Sequence, residues 1–560
     1  MNFESQKRER KPCRSQLIRG LVTGGLVVWI GTLSWNLVAI AKLDGDRENQ
    51  QHLRSPRSLT QNQLEERPLL PPSIWATRVL PSAQSRTLSA NVSSLLTQNE
   101  TARALELCGK FLYSTLERAV HLKNMGEHAY VATGDIASMW IRDSVVQMTI
   151  YLKHATHQPW LRLIIDGAIR RNAFYILQDP YANAFERDWV DPATLPLPDR
   201  IIGRGGFVAT RNYELDSGAY FFHFLYDYFF TEGIYRPDIL LQEIQIFEAV
   251  MVMVDVWIVE QHHDEQSPYR YFELSNEGKG SPTGYTGMTW SGFRPSDDPC
   301  TYGYLIPANI HAAGALQRVL ILNDRIWKSD ELRHKASKLL KEIESGIRKY
   351  GIVDDGSGTS IYAYEVDGLG NVLAEFDDAN VPSLLSIPLL GWDGYDKQVY
   401  ENTRKYLLSK SNSIYYEGLE FKGLGSRHTP VDHVWPMAMA IQGLTEDEPD
   451  RHVKMAFQLR QLMSSATNDA MHESVHHSNR QLFTREWFEW ANALFVVYVE
   501  TVLDTSCYAP ASDVFGQKIV DYLRNKTGRT IPDYHKQPFI NNPWNQLFYQ
   551  NVQASIEFEY

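Results

Sequence analysis

Cysteines, clustered charges and internal repeats are all scarce in this sequence. Four cysteines in 560 residues are too few for a disulfide scaffold. No long basic stretch occurs after residue 20, and the net charge is −12, which argues against nucleic acid as a partner. No fixed-period repeat is present, which disfavours a solenoid. Because 43% of the residues are hydrophobic, the chain has ample material for a large folded core.

The N-terminus has the pattern of a signal anchor. Residues 1–20 contain six Lys or Arg and two acidic residues, and residues 21–41 contain no charge. An uncharged run of this length spans a bilayer, and a basic N-terminal flank is retained in the cytoplasm. We therefore expect a single-pass type II membrane protein with a lumenal body; a cleaved signal peptide is the alternative. This topology leaves Cys108, Cys300 and Cys507 in the lumen, where at most one intramolecular disulfide forms.

The remaining chain divides by its hydrophobic pattern. Residues 42–98 are rich in Gln, Ser, Pro and Arg without periodicity, which predicts a flexible stem. Residues 99–505 contain about twelve amphipathic stretches, which predict an all-α domain. One interruption, "YAYEVDGLGNVLAEF", is typical of a β-hairpin. Twelve helices without a repeat favour six helical hairpins in a closed double ring, the (α/α)6 barrel. Residues 506–560 form a C-terminal extension.

Six loops between the helices combine carboxylates, Trp, Arg or His with helix-breaking residues. They are "TGDIASMWIRDS" (133–144), "NYELDS" (212–217), "TWSGFRPSDDPCTYGYL" (289–305), "FDDANVPS" (376–383), "GLGSRHTPVDHVWP" (423–436) and "HESVHH" (472–477). Each alone is typical of a solvated loop with capping Asp residues. In a ring of hairpins, however, such loops meet at one mouth, so we expect a polar pocket with aromatic walls.

The last loop contains His472, Glu473 and His476, which spell H-E-x-x-H. On a helix this spacing forms the zinc site of many metalloproteases. The residues that follow, "HHSNRQ", are poor helix formers and predict a loop, with the next helix beginning near "FTREWF". A helical zinc site is therefore disfavoured, and Glu473 is the candidate functional residue.

Five stretches of the chain resemble motifs of glycoside hydrolase family 125, the exo-α-1,6-mannosidases. They are "TGDIASMWIRDS", "WSGFRPSDDPCTYGYLIPAN", "DDANVPSLLSIPLLG", "GSRHTPVDHVWP" and "HESVHHSNRQLFTREWFEWANALF". The resemblance covers roughly residues 100–505. It implies an (α/α)6 barrel, removal of terminal α-1,6-linked mannose with inversion, and no metal or other cofactor. Together with the predicted anchor, it implies action on mannose-containing glycans or glycoproteins in the Golgi rather than the endoplasmic reticulum.

The resemblance also assigns catalytic carboxylates. Inverting hydrolysis needs an acid at the leaving oxygen and a base that activates water from the opposite face. The resemblance implies Asp297 or Asp298 for the acid and Glu473 for the base. Asp298 precedes Pro299, a pattern typical of a helix N-cap. A capping carboxylate is held ionised by backbone N–H groups, which suits an acid badly, so we favour Asp297 and assign Asp298 to capping or sugar binding.

Further residues are predicted to bind the sugar. Trp140, Arg142 and Asp143 suit stacking and hydroxyl recognition, although an Arg–Asp pair beside a core Trp is the alternative. Additional candidates for substrate binding are Arg294 and His428. Glu214 and Asp216 lead directly into a helix, and Asp216 is expected to face an Arg.

Three alternative functions remain: a glycosidase of another linkage, a zinc protease and a non-catalytic lectin-like ring. The intact carboxylate loops disfavour the lectin-like ring.

Overall fold

In the described part of the chain, twelve α-helices of nine or more residues form the framework of the domain. The computed structural model describes residues 82–508, except 124–126, 157, 202, 235 and 375, together with Leu70 and Ser73. The helices are α1 (Ser82–Leu95), α2 (Gln98–Ser114), α3 (Ile141–Thr149), α4 (Pro159–Gln178), α5 (Leu215–Phe230), α6 (Ile244–Glu260), α7 (Ile306–Leu322), α8 (Asp330–Tyr350), α9 (Lys397–Leu407), α10 (Pro436–Leu444), α11 (Arg451–Ser465) and α12 (Glu489–Leu503). The expectation of a mostly helical domain is confirmed.

Five of these helices, α3, α5, α7, α10 and α12, are buried on nearly all sides. All nine residues of α3 are buried, and so are 16 of the 17 residues of α7. Their sequences are apolar or small around the whole circumference, as in "IPANIHAAGALQRVLIL", so neither side favours solvent. They contact one another in the order α10, α12, α3, α5, α7. The core of the domain therefore lies along these five helices.

The helices around them are amphipathic. Helix α8 buries Leu332, Ala336, Leu339, Ile343 and Ile347, which recur every three or four residues on one face. That face packs on α6 and α7. Helix α4 packs on α3, α5 and α6, and α11 packs on α10 and α12. Each of these three outer helices thus covers at least one of the buried helices.

Between these helices, the residues that the structure describes contain fifteen short strands in six small sheets. They are β1 (Val120–Lys123), β2 (His128–Val131), β3 (Met139–Trp140), β4 (Ala184–Val190), β5 (Gly206–Thr210), β6 (Tyr304–Leu305), β7 (Ile352–Asp354), β8 (Ser360–Tyr362), β9 (Glu365–Val366), β10 (Val372–Leu373), β11 (Tyr415–Glu417), β12 (Lys422–Leu424), β13 (His433–Val434), β14 (Ser474–His476) and β15 (Asn479–Thr484). The predicted hairpin is confirmed as β9 and β10, in which Val366 pairs with Val372. The other strands were not predicted, because most of them are too short to show an alternating pattern in sequence.

The folded domain begins earlier than residue 99. Helix α1 lies within the predicted stem and packs on α11 and α12. Further upstream, the Leu70 carbonyl accepts a hydrogen bond from Tyr226 Oη at 2.6 Å, and the Ser73 N–H donates to Asp227 Oδ1 at 2.8 Å. Burial raises the pKa of Asp227 to about 6. The Ser73 backbone thus supplies hydrogen bonding that this buried carboxyl needs, so the last part of the predicted stem belongs to the domain.

The cysteines follow the sequence expectation. Cys108 of α2 and Cys507 form a disulfide, and Cys300 is a free thiol. The bond ties the start of the predicted extension to the domain.

In the part of the chain that the structure covers, no helix combines the length and hydropathy needed to cross a bilayer. The predicted tail (1–20), the predicted span (21–41) and residues 509–560 lie outside the described residues.

Candidate active site

A pocket lies at the N-terminal ends of α3, α10 and α12. Five of the six predicted loops line it directly, and so does the segment 485–490. Its empty volume, which includes the open mouth, is about 410 Å³. Four aromatic side chains line the walls: Trp140, Trp435, Phe488 and Trp490. The expectation that the loops converge on one aromatic-walled pocket is confirmed.

Asp297 lines this pocket and is held by three N–H donors. Its Oδ1 accepts hydrogen bonds from Asn183 Nδ2 at 2.7 Å, Asn212 Nδ2 at 3.3 Å and Trp140 Nε1 at 3.4 Å. Oδ2 receives none of these three bonds. The backbone of Asp297 has φ 66°, in the left-handed region that non-glycine residues rarely adopt. Strain of this kind concentrates at functional sites, where the surroundings maintain it.

Asp298 has a different environment, and the N-cap prediction was wrong. The next helix, α7, begins at Ile306, so Pro299 opens no helix. Asp298 is absent from the pocket lining, and its Oδ1 lies 3.0 Å from His428 Nδ1. This hydrogen bond raises the pKa of His428 to about 9. His428 lines the pocket and therefore carries a positive charge at neutral pH, which it loses as the pH rises through about 9.

Arg142, which lines the pocket, lies among three carboxylates. Its Nη1 donates to Glu214 Oε2 at 2.8 Å and to Asp216 Oδ2 at 3.1 Å. Its Nε lies 3.5 Å from Asp143 Oδ2. Burial raises the pKa of Asp143 to about 6, and burial also raises the pKa values of Glu214 and Asp216. The expectation that Asp216 faces an Arg is confirmed, and one guanidinium compensates several buried acids.

Arg294 lies outside the pocket, contrary to the expectation that it contacts the sugar. Its Nε donates to buried Glu365 Oε1 at 2.6 Å. Its own N–H donates to the Asp298 carbonyl at 2.9 Å, and its carbonyl accepts from the Asp297 N–H at 3.0 Å. Arg294 therefore closes the turn that carries both aspartates. Because the partner Glu365 lies 71 positions away, the sequence offered no sign of this pairing.

Glu473 also lines the pocket, although it lies near the C-terminal end of the domain in sequence. It directly precedes β14, which pairs with β13 and β15, so "HHSNRQ" forms a hairpin rather than the predicted loop. The shared helical face that brings the two imidazoles of H-E-x-x-H together is therefore absent. Both ring nitrogens of His472 are engaged instead, by Thr467 Oγ1 at 2.5 Å and by the Arg485 carbonyl at 2.8 Å. Among the described residues, no three His, Cys, Asp or Glu side chains are grouped as metal ligands.

Sequence reasoning missed several residues of the site. They are Asn183, Asn212, Asn380, Trp435, Arg485, Phe488 and Trp490. The sequence does contain a signal for Arg485, Phe488 and Trp490. The stretch "REWFEW" precedes the apolar run of α12 in the same way that "MWIRD" precedes the apolar run of α3. Helix α12 begins at Glu489 rather than near residue 483, since residues 479–484 pair as β15.

The assembled groups suit acid–base chemistry on a neutral polyol. Two separate carboxylates, Asp297 and Glu473, reach one pocket, and His428 adds a hydrogen-bond donor that stays charged. Arg142 and Asp143 supply a donor and an acceptor beside the Trp rings. Such a set provides a proton donor, a proton acceptor and hydroxyl partners around one small ligand.

Comparison with known proteins identifies close relatives. Residues 101–500 match the family model described as metal-independent alpha-mannosidase, GH125. The meiotically up-regulated gene 157 protein of Schizosaccharomyces pombe is 35% identical, covering 74% of this chain and 84% of that protein. A Streptococcus pneumoniae metal-independent alpha mannosidase, solved in a non-productive complex with alpha-1,6-mannobiose, is also 35% identical. The match has a TM-score of 0.67 and covers 75% of this chain and 97% of the bacterial one.

Proposed function

Since the chain belongs to the metal-independent α-mannosidases of family GH125, we propose that it removes terminal α-1,6-linked mannose from glycans with inversion. Membership makes the protein a glycoside hydrolase, and the bacterial relative with bound alpha-1,6-mannobiose supports the linkage. The observation that carries the proposal is that Asp297 and Glu473 line the same pocket. Mannose-containing glycans or glycoproteins are the substrates.

In the proposed reaction Asp297 is the acid and Glu473 is the base. Asp297 donates a proton to the glycosidic oxygen as the bond from C1 to that oxygen breaks. Glu473 accepts a proton from the water that attacks C1 on the opposite face, so β-mannose leaves. One carboxyl loses a proton and the other gains one, and exchange with solvent restores both. All three donors to Oδ1 of Asp297 are side-chain N–H groups rather than the backbone N–H groups of a helix N-terminus, and in this scheme Oδ2 carries the transferred proton.

Asp298 and His428 have a supporting role in this scheme. Asp298 occupies Nδ1 of His428, which leaves Nε2–H to donate to a sugar hydroxyl or to the departing oxygen. The charge on His428 also balances the carboxylates of the pocket. Trp140, Arg142 and Asp143 are proposed to hold the mannose ring by stacking and hydroxyl hydrogen bonds.

We also propose that the helices close into an (α/α)6 barrel. The contact series α10, α12, α3, α5, α7 supplies five of the six inner positions. The short turn Ile387–Leu389, which contacts α7, is suited to the sixth. In such a ring the loops before the inner helices meet at one mouth, in keeping with a shared pocket.

The test uses the purified full-length chain with α-1,6-, α-1,3- and α-1,2-linked mannobiosides, each with and without a strong chelator. Proton NMR follows the released sugar before it mutarotates. We expect β-mannose first, from the α-1,6 substrate alone, and equal rates with chelator. Initial α-mannose would indicate a retaining mechanism, in which the two carboxyl groups lie only about 5–5.5 Å apart. Faster release from the α-1,3- or α-1,2-linked substrate would contradict the proposed α-1,6 specificity.

We propose in addition that residues 21–41 anchor the protein and leave the catalytic domain lumenal, in the Golgi. The uncharged run and its basic flank support this topology. In sealed vesicles, added protease should leave the catalytic domain intact while an antibody reaches residues 1–20. Digestion of the domain without detergent would refute the topology.

A further inference from the structure

We propose that Arg485 is a positioning residue for the reaction, which orients the Glu473 carboxylate toward the pocket. The inference rests on the proposed function, in which Glu473 is the base. Arg485 Nη1 lies 3.9 Å from Glu473 Oε1, and their side chains are 16% and 12% exposed. Of the described cations, Arg485 is the one within ion-pair distance of Glu473.

The other two nitrogens of the Arg485 guanidinium, Nε and Nη2, are held by further contacts. Its Nε donates to Asp135 Oδ1 at 2.7 Å, and its Nη2 donates to the same oxygen at 2.5 Å. Nη2 also lies 3.4 Å from the Thr133 carbonyl. The guanidinium carbon sits 4.3 Å from the ring centroid of Phe488. The guanidinium is planar, so contacts that fix Nε, Nη2 and one face of the group also fix the direction of Nη1. Nη1 is the nitrogen that faces Glu473.

The backbone of Arg485 is also held in an unusual conformation. Its φ is 53°, in the left-handed region. Such a conformation costs about 1–3 kcal/mol in a non-glycine residue and persists only where the surroundings maintain it. His472 Nδ1 lies 2.8 Å from the Arg485 carbonyl and donates to it. Burial lowers the pKa of His472, in keeping with a neutral ring that donates through this nitrogen.

The first histidine of H-E-x-x-H therefore has a role without metal. It anchors the backbone of the arginine that faces the glutamate of the same motif. Asp135 is fixed in turn, because its N–H donates to the Trp487 carbonyl at 3.1 Å. The "TGD" loop before α3 and the "TREW" segment before α12 thus brace one side of the pocket together.

Charge balance in the pocket gives Arg485 an electrostatic role as well. Arg142 is engaged by Glu214 and Asp216, and His428 is engaged by Asp298. Among the described residues neither lies within ion-pair distance of Glu473, and the charge of His428 acts on Glu473 only at longer range. Arg485 supplies a cation at the side of the pocket where the attacking water loses its proton.

The experiment measures kcat and KM of the full-length chain on the α-1,6-mannobioside. Arg485→Gln should lower kcat by about 10- to 100-fold, because a misplacement near 1 Å costs that much. KM should stay within a factor of about two, since the interaction serves the transition state. Asp135→Asn, outside the pocket lining, should change kcat in the same direction by less. Arg480→Gln is the matched control: Arg480 lies on β15, 44% exposed, and pairs with Glu420.

A double-variant cycle separates positioning from other roles. In the Glu473→Gln background, Arg485→Gln should cost less than about twofold, since a residue that acts through the base loses its effect with the base. The inference is overturned if Arg485→Gln raises KM at constant kcat, if it costs the same in both backgrounds, or if Asp135→Asn and Arg485→Gln both match the control. A wild-type chain that releases no mannose would overturn the proposed function itself, and with it this role.

Discussion

Replacing Glu473 by Gln is expected to reduce kcat on the α-1,6-mannobioside by about 10²–10⁴-fold, the contribution of a positioned general base. Gln keeps the shape of the side chain but accepts no proton from water. KM should change little, because the lost interaction develops only in the transition state. Steady-state kinetics of the purified full-length chain measure both quantities.

The matched control for this prediction is Glu486→Gln. Glu486 lies between pocket residues of the segment 485–490, but its own side chain is exposed and outside the pocket lining. It makes the same chemical change without touching the site, so its kcat should equal that of the wild type. Full activity of Glu473→Gln would remove Glu473 from the mechanism. Equal losses in both variants would mean that the segment tolerates no change there.

Asp297→Asn is expected to show a similar loss on the mannobioside, about 10²–10⁴-fold, because Asn donates no proton to the leaving oxygen. An α-mannoside with an activated aryl leaving group needs little protonation, so this variant should hydrolyse it at nearly the wild-type rate. The comparison of the two substrates isolates the acid role. Equal loss on both substrates would instead assign Asp297 to sugar binding.

Asp298→Asn should behave differently from Asp297→Asn. It removes the hydrogen-bonding partner that raises the pKa of His428 to about 9. His428 then loses its charge at lower pH, toward its ordinary value of about 6.5. The alkaline limb of the pH–rate profile should move to lower pH for both substrates, without selective rescue by the aryl group. Rescue of Asp298→Asn instead of Asp297→Asn would exchange their roles.

The sequence predicted the site well where a loop directly precedes a buried helix. "MWIRDS" before α3 and the segment before α10 carry polar or aromatic residues that interrupt an apolar run, and this pattern is local. Trp140, Arg142, Asp143 and His428 all line the pocket as expected. Local pattern is enough here because each helix begins at the pocket, so residues at its start are delivered there by the helix itself.

Pairings between distant residues were not predictable. Arg294 was expected in the pocket, but it bonds Glu365, and Asp298 was expected to cap a helix, but it pairs with His428 across 130 positions. Arg485 and Asp135 are 350 positions apart. No local property of either partner encodes these contacts, since they arise only when remote loops reach the same end of the domain.

By itself the sequence determined the helical framework, the loops that supply the site and the motifs shared with family GH125, because periodicity and motif spacing are local properties of the chain. Only the tertiary structure decided that Asp297 rather than Asp298 lines the pocket and that H-E-x-x-H is not helical. Strands of two or three residues are too short to be stable alone and form only when a distant strand pairs with them. Residues 474–476 of the zinc-like motif thus form a strand because β15, which follows in sequence, and β13, about forty positions upstream, pair with its two edges and supply its hydrogen bonds.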